Sequence, residues 1–221
     1  MRRLPGLNLL RATAVVWVML FHSFLVGGLG ADFDWLLRFG WAGVDIFFVL
    51  SGFLIGTQVM RPLRRGERVS IGAFYLRRAW RILPAFAFVL ALYVAFPGLR
   101  ETPGLQPWWQ FASFTVNLLI DYSNNRALPH AWSLCVEEHF YLVFPLLAVG
   151  LARRPSTARV VGLCACIVVT GMALRGAIRL HEAALDPPRN WFVEDIYYPT
   201  WTWLDGLLAG VMLATVRVFL P

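Results

Sequence analysis

The stretch LNLLRATAVVWVMLFHSFLVGGL, Leu7–Leu29, decides the fold. It is apolar except for Asn8, Arg11, Thr13, His22 and Ser23. A bilayer crossing needs about 20 such residues, so this run is long enough to span. It lacks a small-residue cleavage site and is expected to be a retained helix, not a cleaved signal peptide. Arg11 and His22 are the informative exceptions. An ionisable side chain at mid-membrane costs about 2.5–3.5 kcal/mol on insertion scales, which makes each a functional candidate. Eleven residues at about 100° each come to three turns plus roughly 20°, so the two share one helix face about 16 Å apart.

The rest of the chain follows the same pattern. Of its 221 residues, 58% are hydrophobic, and mean hydropathy is +0.61. A soluble domain holds about 45–50% apolar residues. The composition therefore excludes a soluble domain and predicts an all-α, polytopic transmembrane helix bundle embedded in a lipid bilayer. Formal net charge is +7, and all 20 basic residues are Arg, which reads as codon usage. The charge lies in links between apolar runs, which argues against nucleic acid as a partner. Cys135, Cys164 and Cys166 fall in apolar stretches without paired spacing and read as core or lipid-facing residues, with no disulfide and no metal site.

Six spans are predicted: Leu7–Leu29, Trp41–Met60, Ile82–Pro97, Trp132–Leu151, Val160–Leu180 and Thr200–Phe219. Ile82–Pro97 is short and is expected to begin earlier, its Arg side chains snorkelling to the interface. Trp108–Ile120 is too short to cross and predicts a re-entrant or interfacial helix. Arg2 and Arg3, the group from Arg61 to Arg81, Arg153, Arg154, Arg159 and Arg217 alternate consistently for one membrane side. The positive-inside rule then predicts a multi-pass protein of the cell inner or plasma membrane with a cytoplasmic N-terminus and His22 in the outer half. No internal repeat is evident.

Three further groups of residues stand out. Asp45 opens the second span at a depth comparable to His22, either as an interfacial helix cap or as partner to an embedded base. In the same span Gly52 and Gly56 form a small-xxx-small step that reads as helix packing. Arg77, Arg78 and Arg81 present clustered guanidinium groups, suited to bidentate phosphate binding or to anionic headgroups. Glu137, Glu138 and His139 are consecutive polar residues in an apolar helix. Three neighbours cannot share one face, so one is expected to point elsewhere. Buried acids need partners, and a structural ion pair is one reading for one of the two Glu.

These blocks resemble the acyltransferase-3 family of multi-span O-acyltransferases. The matching segments run in order: Leu9-Leu-Arg11 with His22 following; Gly43-Val-Asp-Ile-Phe-Phe-Val-Leu-Ser-Gly-Phe-Leu54; Arg77-Arg-Ala-Trp-Arg-Ile-Leu-Pro84; Trp132-Ser-Leu-Cys-Val-Glu-Glu-His-Phe-Tyr141; and, more weakly, Leu204-Asp-Gly-Leu-Leu-Ala-Gly210. The resemblance covers residues 1–221 as an acyltransferase-3 transmembrane domain. The family has more spans than these six, so this domain is expected to be incomplete at its C-terminus.

The resemblance implies an enzyme that moves an acyl group, acetyl first among the candidates, from cytoplasmic acyl-CoA to a hydroxyl of a cell-envelope glycan or small exported molecule. It carries no bound cofactor; acyl-CoA is a donor substrate. The implied catalytic residues are His22, Arg11, Glu138 and Asp45. Here His22 is a general base whose tautomer an acid such as Asp45 or Glu138 fixes. Arg77, Arg78 and Arg81 are the implied donor-binding residues, and Ser51 and Glu137 are motif members. His139 stands where the family usually has Gln, and Trp203 where an Arg is common. The embedded His, Arg and Glu would also suit a proton-coupled lipid or glycan transporter or flippase, and a non-catalytic fragment is a third reading.

Overall fold

The computed structural model describes residues 5–23, 28, 30–33, 39–153, 156–185 and 187–219. Among them the regular elements are helical: α1 (Pro5–Phe21), α2 (Ala42–Arg64), α3 (Ile71–Ala95), α4 (Trp108–Ala112), α5 (Ala131–Ala152), α6 (Thr157–Leu185) and α7 (Leu204–Phe219). α2, α3, α5 and α6 are long and apolar enough to cross a membrane. α1 and α7 have 17 and 16 residues. At 1.5 Å per residue each reaches about 25 Å, a little under the hydrocarbon thickness. The chain divides into two compact units, one of Met1–Arg61 with Gly206–Pro221 and one of Pro62–Asp205.

Glycine builds the first unit. A Cβ on Gly52 would overlap the Leu207 carbonyl, one on Gly210 would overlap the Val49 carbonyl, and one on Gly56 would press on Ala214 at 2.9 Å. α2 and α7 therefore meet backbone to backbone, as the small-xxx-small step predicts. The α7 face that enters this contact carries Leu207, Val211, Ala214 and Val218, all buried at helical spacing. A second close approach joins α1 to the start of α2. Cβ atoms on Gly40 and Gly43 would collide with Phe21 and Val18. α1 is shorter than the apolar run predicts. Its helix ends at Phe21, and His22 and Ser23 form a 3₁₀ turn. The remainder of the predicted span, residues 24–27 and 29, lies outside the described residues.

In the second unit α3 and α5 run antiparallel. Tyr75 reaches Leu142, and Arg78 reaches Glu138. α3 does begin well before Ile82, with Ser70 as its N-cap. Pro145 interrupts α5 because it has no N–H. The Leu142 carbonyl also accepts the Tyr75 hydroxyl at 2.5 Å. α6 extends past Leu180 to Leu185, so its last turns lead out of the apolar run.

The connection from α3 to α5 is folded, not a single apolar helix. Only Trp108–Ala112 is α-helical. The Ser113 hydroxyl donates to the Trp109 carbonyl at 2.7 Å, and Phe114 turns left-handed at φ 56, which ends the helix after five residues. Phe111 and Val116 then bury against Ala131 and Cys135 of α5, while Trp108 and Trp109 stay exposed, as interfacial Trp do. Arg100 donates to the Tyr93 carbonyl at 2.7 Å and to the Val94 carbonyl, closing the C-terminus of α3. Glu101 accepts from the Tyr93 hydroxyl and the Leu128 amide, which ties both ends of the connection together.

Candidate active site

His22 sits one residue beyond α1, and its Nδ1 lies 2.8 Å from the Val18 carbonyl oxygen. A carbonyl only accepts, so Nδ1 carries the proton and Nε2 carries the lone pair. The Val18 carbonyl thus holds the Nδ1–H tautomer. Phe21 stands edge-on to the ring at 4.9 Å. Asp45 lies in the first turn of α2, two residues after the Gly43 that packs on Val18. His22 and Asp45 therefore occupy the same end of the α1–α2 pair. An acid there also complements the positive end of the helix dipole. Arg11 is half-buried nearer the other end of α1, and Ser51 is half-buried beside Gly52 on α2.

The three arginines of α3 separate into two classes. Arg77 and Arg81 are exposed. Four residues apart, they lie within about 40° of each other on the helix. Arg78 points about 100° away from Arg77, toward α5. Its Nε lies 3.3 Å from Glu138 Oε1, and its Nη2 lies 3.5 Å from Glu137 Oε2. The guanidinium carbon sits 3.5 Å from the centroid of the Tyr141 ring, a cation–π stack. The Tyr141 hydroxyl closes the cluster by donating to Glu137 Oε2 at 2.9 Å. The Arg78, Glu137 and Glu138 side chains are only 14%, 18% and 20% exposed.

His139 is the member of the triplet that points elsewhere. Its Nδ1 lies 2.7 Å from Thr200 Oγ1, and that oxygen accepts from Asn117 Nδ2 at 2.9 Å. The Phe114 backbone is within hydrogen-bond range of the same ring. A neutral imidazole with one donor and one acceptor nitrogen satisfies both neighbours. A Gln side chain, with one carbonyl and one amide, offers the same pair.

Three other polar features escaped the sequence reading. Arg175 on α6 donates to the Thr202 carbonyl at 2.6 Å and to Asp205 Oδ2 at 3.0 Å, bringing a cation to Asp205 where Trp203 supplies none. Trp203 instead packs against Trp132 and Tyr197 in an aromatic cluster with Tyr198. Burial pushes the Tyr198 phenol well above its usual range, with Tyr122 and Tyr197 adding to it. Finally, Arg189 holds Asp195 at 2.6 Å and Glu182 and Glu194 at 3.1 Å. Glu194 in turn accepts from the Tyr122 amide. The contacts of Arg175 with Thr202 and Asp205, of Trp132 with the aromatic cluster and of Tyr122 with Glu194 are long-range, and no local spacing announces them.

Comparison with known proteins agrees with this arrangement of motifs. O-acetyltransferase OatA of Staphylococcus aureus (strain NCTC 8325 / PS 47) is 31% identical over 97% of this chain, which covers 35% of that protein. Putative peptidoglycan O-acetyltransferase YrhL of Bacillus subtilis (strain 168) is 30% identical over 97% of the chain and 33% of its own length. Peptidoglycan O-acetyltransferase OatA of Listeria monocytogenes serovar 1/2a (strain ATCC BAA-679 / EGD-e) is 28% identical, with 97% and 34% covered. The chain thus spans about a third of the length of the curated relatives it matches. No solved structure matches it. The family profile described as an acyltransferase domain aligns with residues 4–219, through every motif block described above. On that near-complete match, this multi-pass membrane chain belongs to the acyltransferase-3 family.

Proposed function

We propose that this chain forms the acyl-transfer part of a membrane O-acyltransferase. It moves an acyl group, acetyl by similarity to its relatives, from cytoplasmic acyl-CoA to a hydroxyl of peptidoglycan or another cell-envelope glycan. The observation that carries this reading is the His22 imidazole, tethered through Nδ1 so that Nε2 is its basic nitrogen. The acceptor hydroxyl oxygen attacks the thioester carbonyl while Nε2 takes its proton. The C–S bond breaks, an ester C–O bond replaces it, and the proton passes to the departing thiolate to give free CoA. Positioned proton transfer of this kind contributes about 10²–10⁴-fold.

Asp45 is the carboxylate at the His22 end of α1–α2, suited to stabilise the imidazolium that forms. Glu138 is a second carboxylate of the reaction, and Ser51 and Glu137 support it. Arg11 supplies positive charge within α1, suited to the thioester oxygen as negative charge develops there. Donor phosphates fall to the exposed Arg77 and Arg81, whose shared face suits a polyanion. In this reading the N-terminus is cytoplasmic, which the arginine distribution supports.

The test is acetyl transfer from radiolabelled acetyl-CoA in membranes carrying the chain, beside Arg11→Ala and His22→Ala. Label should appear on a cell-envelope fraction and disappear in both variants. Full labelling with His22→Ala would overturn the assignment of the base.

A further inference from the structure

We propose that Arg78 is a positioning residue for the Glu137–Glu138 pair, and that it takes no part in holding the donor. This rests on the acyltransferase reading for its catalytic consequence, and on geometry for the rest. A guanidinium offers five N–H donors in one plane and two stacking faces. In Arg78, one edge meets Glu138 at 3.3 Å and Glu137 at 3.5 Å, and one face lies 3.5 Å above Tyr141. The Tyr141 hydroxyl grips the same Glu137 oxygen from the other side. Withdrawing Arg78 to meet a phosphate would take the cation from two neighbouring carboxylates on an apolar helix, at one-fifth exposure or less, and the Tyr141 hydroxyl on Glu137 brings no charge to replace it. Breaking a poorly solvated ion pair in this way is costly.

The separation follows from helical geometry. Arg77 and Arg81 turn outward together, and neither has an ion pair among the described residues. Arg78, one residue along from Arg77, turns onto α5. The Tyr75 hydroxyl on the Leu142 carbonyl pins the same helix pair one turn away, so Arg78 and the two Glu face each other across a fixed contact. A lysine at this position would keep the charge but lose both the planar fork and the stack.

The experiment uses the full chain purified in lipid nanodiscs, with coenzyme A as the binding probe. Arg77→Gln and Arg81→Gln should each raise the Kd for coenzyme A tenfold or more with the melting temperature unchanged. Arg78→Gln should leave that Kd within twofold, lower the melting temperature, and lower kcat while the KM for acetyl-CoA stays put. Arg78→Lys should recover the melting temperature only in part. Glu138→Gln and the double variant Arg78→Gln/Glu138→Gln complete a cycle, and the double variant should melt no lower than the worse single one. Equal loss of coenzyme A binding in Arg78→Gln and Arg77→Gln would overturn the proposal, as would additive melting losses in the cycle. If the unaltered chain neither binds coenzyme A nor transfers acetyl, the donor reading fails by itself. The melting cycle then still decides whether Arg78 and Glu138 are coupled.

Discussion

The Nδ1 of His22 lies 2.8 Å from the carbonyl oxygen of Val18, one helical turn back. That carbonyl is left over because α1 stops at Phe21, so the helix end and the imidazole satisfy each other. The consequence is chemical. The ring is held in the Nδ1–H tautomer, and its base is Nε2. Nitrogen NMR of the ¹⁵N-histidine-labelled chain should show His22 as the Nδ1–H form when neutral. His22→Ala should reduce transfer by about 10²–10⁴-fold while the protein still folds. An Nε2–H signal, or unaltered transfer, would contradict this account.

The α2–α7 crossing leaves no room for a side chain at Gly52. Gly52→Leu should force the helices apart and destabilise the protein by about 1–3 kcal/mol or more. Gly162 on α6 is the matched control, since nothing lies within 4 Å of a Cβ placed there. Gly162→Ala should be neutral or stabilising by up to about 1 kcal/mol, because it improves helix propensity without crowding. Thermal melting of the two variants side by side provides the comparison.

His139 is expected to be exchangeable for Gln and for little else. His139→Gln keeps a donor for the Phe114 backbone and an acceptor for Thr200, so the melting temperature should stay close to that of the unaltered chain. His139→Leu leaves the Thr200 hydroxyl and the Phe114 backbone short of a partner at a half-buried position, which costs about 1–3 kcal/mol. Thr200→Val should destabilise similarly, and the two losses should not add, since they break one network.

Arg189, beyond the end of α6, gathers three carboxylates, and its hydrogen bond to Asp195 chiefly holds the guanidinium more firmly protonated than usual. A raised value means that its contribution to stability is complete at every pH below the ordinary arginine range, and is lost only above it. Arg189→Gln should therefore lower the melting temperature equally at pH 6 and pH 10. Partial exposure limits each pair to about 0.2–1 kcal/mol, and added salt should narrow the gap between variant and parent. A deficit that vanishes by pH 10 at constant salt would contradict this sign.

Much of the molecule follows from side-chain chemistry along the chain. Apolar length dictated the helices, because a backbone in lipid must satisfy its own hydrogen bonds. Glycines four apart in α2 signalled a close helix contact, since no other residue lets two backbones meet. Consecutive Glu137, Glu138 and His139 implied that one must turn away, because 100° steps forbid a shared face. Other features depended on which groups the tertiary fold brought into reach. Arg77, Arg78 and Arg81 are the same residue type on one helix, and only the position of α5 made Arg78 an ion-pair partner and left the other two outward. His139 met Thr200 and Asn117, which lie 61 and 22 residues away along the chain. The tautomer of His22 turned on where α1 ended, which left the Val18 carbonyl, four residues back, in reach of Nδ1. Residue type states what a side chain can bind; the fold decides which neighbour is there to be bound.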